Sequence, residues 1–206
     1  MSSVEIDHLG EGRSDSVIAR ALIEAVGARP GRDYSHSRRT GKDALDRRAG
    51  GLNTGAAFGN PVLILRDLDS EICAGGLVAR LLPGRNPRCS LRIAVPSAES
   101  WLMADRDAYA AFCGLRVGAV PEAPETVGAL KPLILGWGDG EATKLARHMA
   151  EARRRGVPAW QSLGEWHAAF AGSDWSPARA AKSGRAPSLA RALIRLKEMT
   201  AAERGG

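Results

Sequence analysis

The residues best suited to chemistry in this chain are acids, and where they fall matters more than how many there are. Glu11 follows a short alternating stretch, Val4 to Leu9, and sits inside Gly10-Glu11-Gly12. Asp67 and Asp69 follow the apolar run Pro61-Val-Leu-Ile-Leu-Arg66, and Glu99 follows the segment Cys89 to Val95. If these segments are parallel strands, their carboxyl ends line one edge of a sheet, which is where open α/β folds bind ligands. At least four carboxylates would then meet on one rim. Unpaired, they would repel one another and raise one another's pKa values. A hard divalent cation relieves that repulsion: Mg2+ takes oxygen ligands, usually one or two carboxylates together with waters and substrate phosphates. Asp67 and Asp69 reach one ion only if the chain turns there, because alternate residues of a continuing strand face opposite ways. Each acid also has a plainer use. Glu11 can be turn chemistry, Asp69 or Ser70 can cap the next helix, and Glu99 can be a first-turn acid favoured by the helix dipole. Asp15 and Asp105 read first as ordinary helix acids.

The elements that must position these acids follow from periodicity. Two glycines after the first strand make a strand-to-helix turn, and Val17, Ile18, Ala21, Leu22 and Ala25 then recur at helical spacing until Gly27. Residues 28–60 hold glycines, seven basic residues and a short helix around Asp43–Arg48. The run 61–66 has the continuous apolar character of a strand buried on both faces. A helix from about Ile72 to Leu82, a strand at 89–95 and a helix opened by Pro96-Ser97 and running to Phe112 complete an alternating pattern. Three strands alternating with helices predict an open α/β domain. Residues 118–140, rich in Pro and Gly, read as a connection, and helices are expected near 142–155, 159–171 and 187–200. The expected division is an α/β domain over 1–117 and a helical extension over 118–206.

Composition narrows the classes. With 206 residues, 44% apolar and 25% charged, the chain can bury a sizeable core, and collagen-like, coiled-coil and disulfide-scaffold readings fall away. It has no apolar run of about 18 residues, so no membrane span is expected. The start MSSVEIDHLGEG lacks the basic and apolar stretches of a signal peptide. Cys73, Cys89 and Cys113 lie far apart, which suits buried thiols in a reducing cytoplasm. Residues 1–143 carry 17 Lys and Arg against 18 Asp and Glu, whereas residues 144–206 carry 12 against 5. An acidic site beside a basic tail suits a polyanionic substrate; a basic surface that only aids solubility is the other reading. Gly50, Gly51 and Gly55 suggest a phosphate cradle, but there is no Walker loop, and there is no Gly-x-Ser-x-Gly elbow. His8, His36, His148 and His167 lack metal-ligand spacing. Trp137, Trp160, Trp166 and Trp175 can stack on bases or fill a core.

The order Gly10-Glu11-Gly12-Arg-Ser-Asp15, then Asp67-Leu68-Asp69-Ser70-Glu71, resembles the Toprim domain of topoisomerases, bacterial primases and OLD-family nucleases. The resemblance covers roughly residues 3–113. It implies that Glu11 acts as general acid or base and helps bind metal, and that Asp67, Asp69 and Glu71 bind Mg2+. The stretch Ile93 to Asp105, with Trp175-Ser-Pro-Ala and Ser188-Leu, is similar to small stand-alone bacterial Toprim-like proteins, some encoded beside OLD- or ABC-type ATPases in phage-defence loci. That likeness adds Glu99, and with it Asp105, to the acidic site.

The expected activity is a nuclease or related phosphotransfer enzyme dependent on Mg2+ or Mn2+. Glu11, Asp67 and Asp69 would hold the ion, Glu99 would share a second, and Glu11 would move the proton if its neighbours raise its pKa. Arg13, Arg153 and Arg154 would clamp the backbone of a nucleic acid without reading bases. Neither Tyr34 nor Tyr109 has the setting of a topoisomerase tyrosine, which argues against strand passage. The competing expectation is a non-catalytic Toprim-like subunit that binds a partner ATPase.

Overall fold

The computed structural model describes residues 3–35, 41–139 and 143–205. Four strands, β1 (Glu5–Leu9), β2 (Arg29–Asp33), β3 (Val62–Asp67) and β4 (Cys89–Ala94), form one sheet. All pairings are parallel and the order is β2-β1-β3-β4. Between and after them run α1 (Arg13–Ala25), α2 (Lys42–Gly55), α3 (Ala74–Leu81), α4 (Ala98–Ala104) and α5 (Arg106–Cys113). The C-terminal part holds α6 (Leu130–Gly138), α7 (Lys144–Arg154), α8 (Ala159–Ser173), α9 (Pro177–Lys182) and α10 (Pro187–Gly205). The open parallel sheet flanked by helices is therefore present, and all its carboxyl ends lie on one edge.

The sheet is covered on both faces, which is why β3 reads as an unbroken apolar run. Leu63 and Leu65 join a core with Ile18 and Leu22 of α1, Trp101 of α4, Phe170 of α8 and Leu193 of α10. Val62 and Ile64 face the other way, against Leu45 and Ala49 of α2 and Leu77 and Val78 of α3. Burying each such Leu or Ile contributes about 1.5–3 kcal/mol. The larger core runs from Ile6 to Met199, so the helices after residue 118 pack into the same core as the α/β part. Trp175 is buried and Trp137 and Trp166 pack against this core, while Trp160 is 75% exposed.

Several expectations change in detail. Residues 28–60 supply a fourth strand and a helix longer than the one expected at 43–48, and Gly50, Gly51 and Gly55 lie within it. The helix expected through Phe112 breaks at Asp105 into α4 and α5. The connection at 118–140 contains α6, and α9 was not expected at all. No helix among the described residues is long and apolar enough to cross a membrane.

Candidate functional site

The first turn is built around a close approach. A Cβ on Gly10 would lie 2.6 Å from Asp15 Cβ, so a glycine is needed for the chain to leave β1 and enter α1 there. The Gly10 amide donates to Ser35 Oγ at 2.8 Å. This turn sets Glu11 at the mouth of β1 and Asp15 in the first turn of α1. At the end of β3, Asp67 Oδ1 accepts from the Ala98 amide at 2.8 Å and so ties the strand to the start of α4. Asp69 has φ of 52°, the left-handed region that Asp tolerates better than most residues. The chain therefore turns between the two aspartates, as their joint use requires. Glu11 Oε1 and Asp69 Oδ2 both accept from Arg66 Nη1, each at 3.1 Å. Glu99, in the first turn of α4, is buried beside them.

Two cations stand among these acids. Arg66 is 2% exposed and pairs with Glu11, Asp69 and Asp46. Lys131 reaches in from α6, with Nζ 3.8 Å from Asp67 Oδ2 and 3.9 Å from Glu99 Oε1. Behind Glu99, His167 Nδ1 lies 4.0 Å from its Oε1, and His167 Nε2 is 3.0 Å from the Tyr109 hydroxyl. Glu11, Asp69, Ser97, Leu130 and Lys131 are among the residues lining a cleft of about 600 Å³.

Burial and the neighbouring charges shift the proton affinities of these acids in different directions. Burial, and then the charges of Glu11 and Glu99, push Asp15 up to about 7. Burial, followed by Asp15, Glu99 and Glu11, raises Asp67 well above the usual carboxylate range. Burial also raises Glu11, against the opposing pull of the Asp67 amide and Arg66. Burial works against an ionised Glu99 as well, but His167, Lys131 and a hydrogen bond from Ser97 hold its carboxyl below the usual value. Burial drives His167 down to about 4, so its ring is neutral at pH 7 and Lys131 is the permanent cation beside Glu99. Partial burial disfavours the Lys131 charge, yet Glu99, Asp67, Asp69 and Asp15 raise its pKa.

The structure thus brings together Glu11, Asp67, Asp69 and Glu99, and adds Asp15, Arg66, Lys131 and His167, which the sequence did not place in the site. Glu71 is not among them; it pairs with Arg80 of α3. Arg13 is exposed at the first position of α1. Arg153 pairs with Asp139 and Arg154 with Glu151 on the exposed side of α7, so neither touches the carboxylates. Asp105 does not join the site. Its two oxygens accept from Arg179 and from the Ser176 amide, so its charge is spent on anchoring the start of α9. His8 stands 3.7 Å from Asp33, and His148 contacts the Ser162 carbonyl; His36 lies outside the described residues.

Glu11, Asp67, Asp69 and Glu99 are the residues that could hold a divalent cation. Their chemistry fits one: an all-oxygen donor set with surplus negative charge, in which Glu99 Oε2 is buried without a hydrogen-bond partner. No three His, Cys, Asp or Glu side chains of the described residues stand grouped around a single ion position. No protein-family model, curated protein or solved structure matches the chain.

Proposed function

We propose that the chain is a divalent-cation-dependent phosphodiesterase of Toprim-like design that cuts nucleic acid. The observation that carries this reading is the surplus of buried carboxylate at the carboxyl edge of the sheet. Glu11, Asp15, Asp67, Asp69 and Glu99 pair with only Arg66 and Lys131 among the described Lys and Arg residues, with Lys42 on the cleft wall, and burial together with their mutual repulsion raises the pKa values of Asp15 and Asp67. Glu11, Asp67 and Asp69, which are not grouped around one ion position in this structure, would draw together to hold Mg2+ or Mn2+, with Glu99 at a second position. When bound, the cation polarises the scissile phosphate and lowers the pKa of water. Glu11 Oε1 is fixed by the Asp67 amide and Arg66, each at 3.1 Å, which leaves Oε2 to take the proton of the attacking water. Its raised pKa brings it nearer to the value a general base needs at neutral pH. The Lys131 ammonium, at the cleft wall, would meet the substrate's phosphate oxygens.

The reading is tested by incubating the protein with supercoiled plasmid, single-stranded DNA and RNA in Mg2+ or Mn2+, beside Asp67→Asn and Asp105→Asn. Metal-dependent cutting that is lost by at least about 100-fold in Asp67→Asn and kept in Asp105→Asn is expected. Cutting that survives Asp67→Asn contradicts the assignment. A second reading, a non-catalytic partner of an ATPase, draws support from Arg66, whose guanidinium already pairs with Glu11 and Asp69. Folded wild-type protein that cuts none of the three substrates would favour it.

A further inference from the structure

β4 is an edge strand, with α3 on one face and α10 on the other. Along its outer edge runs a groove of about 250 Å³ lined by Gly75, Arg85, Arg92, Val95, Ser188 and Arg191, among others. Ala74 and Gly75 leave its α3 wall low. Arg92, half-buried on the α10 side, donates from Nε to the Leu91 carbonyl at 2.7 Å. Arg191 and Arg195 follow one turn apart on α10, a like-charge spacing that costs a helix a few tenths of a kcal/mol. Arg195 is answered by Glu198 at 3.3 Å, while Arg85 and Arg191 make no ion pair among the described residues. Partial burial, and then Arg195, Arg85 and Arg191, hold Arg92 below its usual pKa. One charge is enough to protect a sheet edge from pairing; the three guanidiniums that line this groove, those of Arg85, Arg92 and Arg191, make no ion pair among the described residues and leave a positive surplus that calls for an anion.

The groove's position says which anion. It ends at Val95, and the next two residues, Pro96 and Ser97, line the acidic cleft. Ala94 stands opposite Asp67 in the strand register. The basic groove thus takes residues of β4 and Val95, and the acidic cleft takes the residues that follow directly past the strand's end.

We infer that the groove along β4 binds the phosphodiester backbone of a nucleic acid strand and leads it into the carboxylate cleft. Guanidiniums suit phosphate oxygens in shape and charge and read no sequence. The direction of travel rests on the hydrolytic reading of the cleft; the binding itself does not.

The test is binding of a labelled single-stranded oligonucleotide to the full chain in EDTA across a salt series. The charge-removing double variant Arg85→Ser/Arg191→Ser is compared with Arg147→Ser/Arg155→Ser, which removes the same charge from exposed positions on and just after α7. The groove variant should bind about tenfold more weakly at low salt, with a slope of log K against log salt flatter by about 1.4, the value for two lost contacts to a single strand. The α7 variant should stay within about twofold of wild type. Equal losses in both variants, or no loss in the groove variant, would overturn the inference. So would groove-dependent binding of poly-glutamate with no binding of the oligonucleotide, which would point to an acidic protein segment instead. The two proposals separate cleanly. Groove-dependent binding with no cleavage leaves the groove standing and removes the hydrolase; cleavage with unchanged KM in the groove variant does the reverse.

Discussion

The two ends of α4 are held by two aspartates that look alike by burial and differ in everything else. Asp67, 6% exposed, binds the first amide of the helix, and Asp105, 3% exposed, closes its last turn. Asp105 is fully answered: Arg179 donates from Nε at 2.6 Å and from Nη2 at 2.5 Å, and the Ser176 amide donates at 3.0 Å. Asp67 has one amide on Oδ1, and its other oxygen stands 3.8 Å from a half-exposed lysine. Burial raises its pKa, and Asp15, Glu99 and Glu11 around it raise it further. Burial of an acid thus says little about its use. What separates an anchoring carboxylate from a candidate reactive one is whether its neighbours already balance its charge.

Substitutions at the two ends should act in opposite directions. The largest effect is expected from Asp105→Ala, which strips Arg179 and the Ser176 amide of their acceptor. It should cost about 2–4 kcal/mol of stability, read as a fall in melting temperature, with divalent-cation binding unchanged in the folded protein. Loss of cation binding in folded Asp105→Ala would break the comparison.

Asp15→Asn should stabilise. The folded-state pKa of Asp15, about 7, lies above the ordinary value of 3.8. The stability tied to its proton is therefore complete below about pH 4 and lost as pH rises through 7. Wild-type stability should decline over that window, and Asp15→Asn should flatten the decline, giving a gain of roughly 1–3 kcal/mol at pH 8 without metal. Chemical denaturation at pH 5 and pH 8 checks this; a destabilised Asp15→Asn at pH 8 would show that the cluster is already balanced.

The smallest effect belongs to Lys131→Met. The side chain is 55% exposed, so solvent screens it and the loss of stability should stay under about 1 kcal/mol. The loss should be larger at pH 8 than at pH 5, because the acids it faces are then ionised. A pH-independent change would assign Lys131 a packing role instead.

Much of this arrangement could be read from the chain, for identifiable reasons. β3 is an apolar run, β1 and β4 alternate apolar with polar residues, and all three stop at Gly, Asp or Pro, so the acids after them could be placed on one edge. β2 could not be read in the same way. Its residues, Arg29-Pro-Gly-Arg-Asp33, hold no aliphatic pair, because it is an edge strand that is half exposed. Lys131 stayed hidden because α6 begins at Leu130-Lys-Pro, inside a segment whose prolines and glycines read as a connection, and because α6 is apolar on most of its sides. The one local signal was Leu130 and Ile134, both buried and one helical turn apart. His167 and Arg66 carry no such signal. A lone histidine on a core helix and an arginine ending an apolar strand gain their meaning only when distant segments meet. Glu71 and Asp105 misled in the reverse way: their neighbours in sequence suggested the site, and their partners in space are Arg80 and Arg179.

On the proposed reading, the rim around Asp67 is an only partly compensated carboxylate cluster that would take up a divalent cation. Calorimetric titration of Mn2+ into the wild-type protein at pH 7, in two buffers of different ionisation enthalpy, tests it most directly. Binding should be saturable, release a proton from Asp15, be abolished by Asp67→Asn and be retained by Asp105→Asn. Folded wild-type protein that shows no saturable heat at millimolar Mn2+, or binding that Asp67→Asn leaves intact, would contradict it.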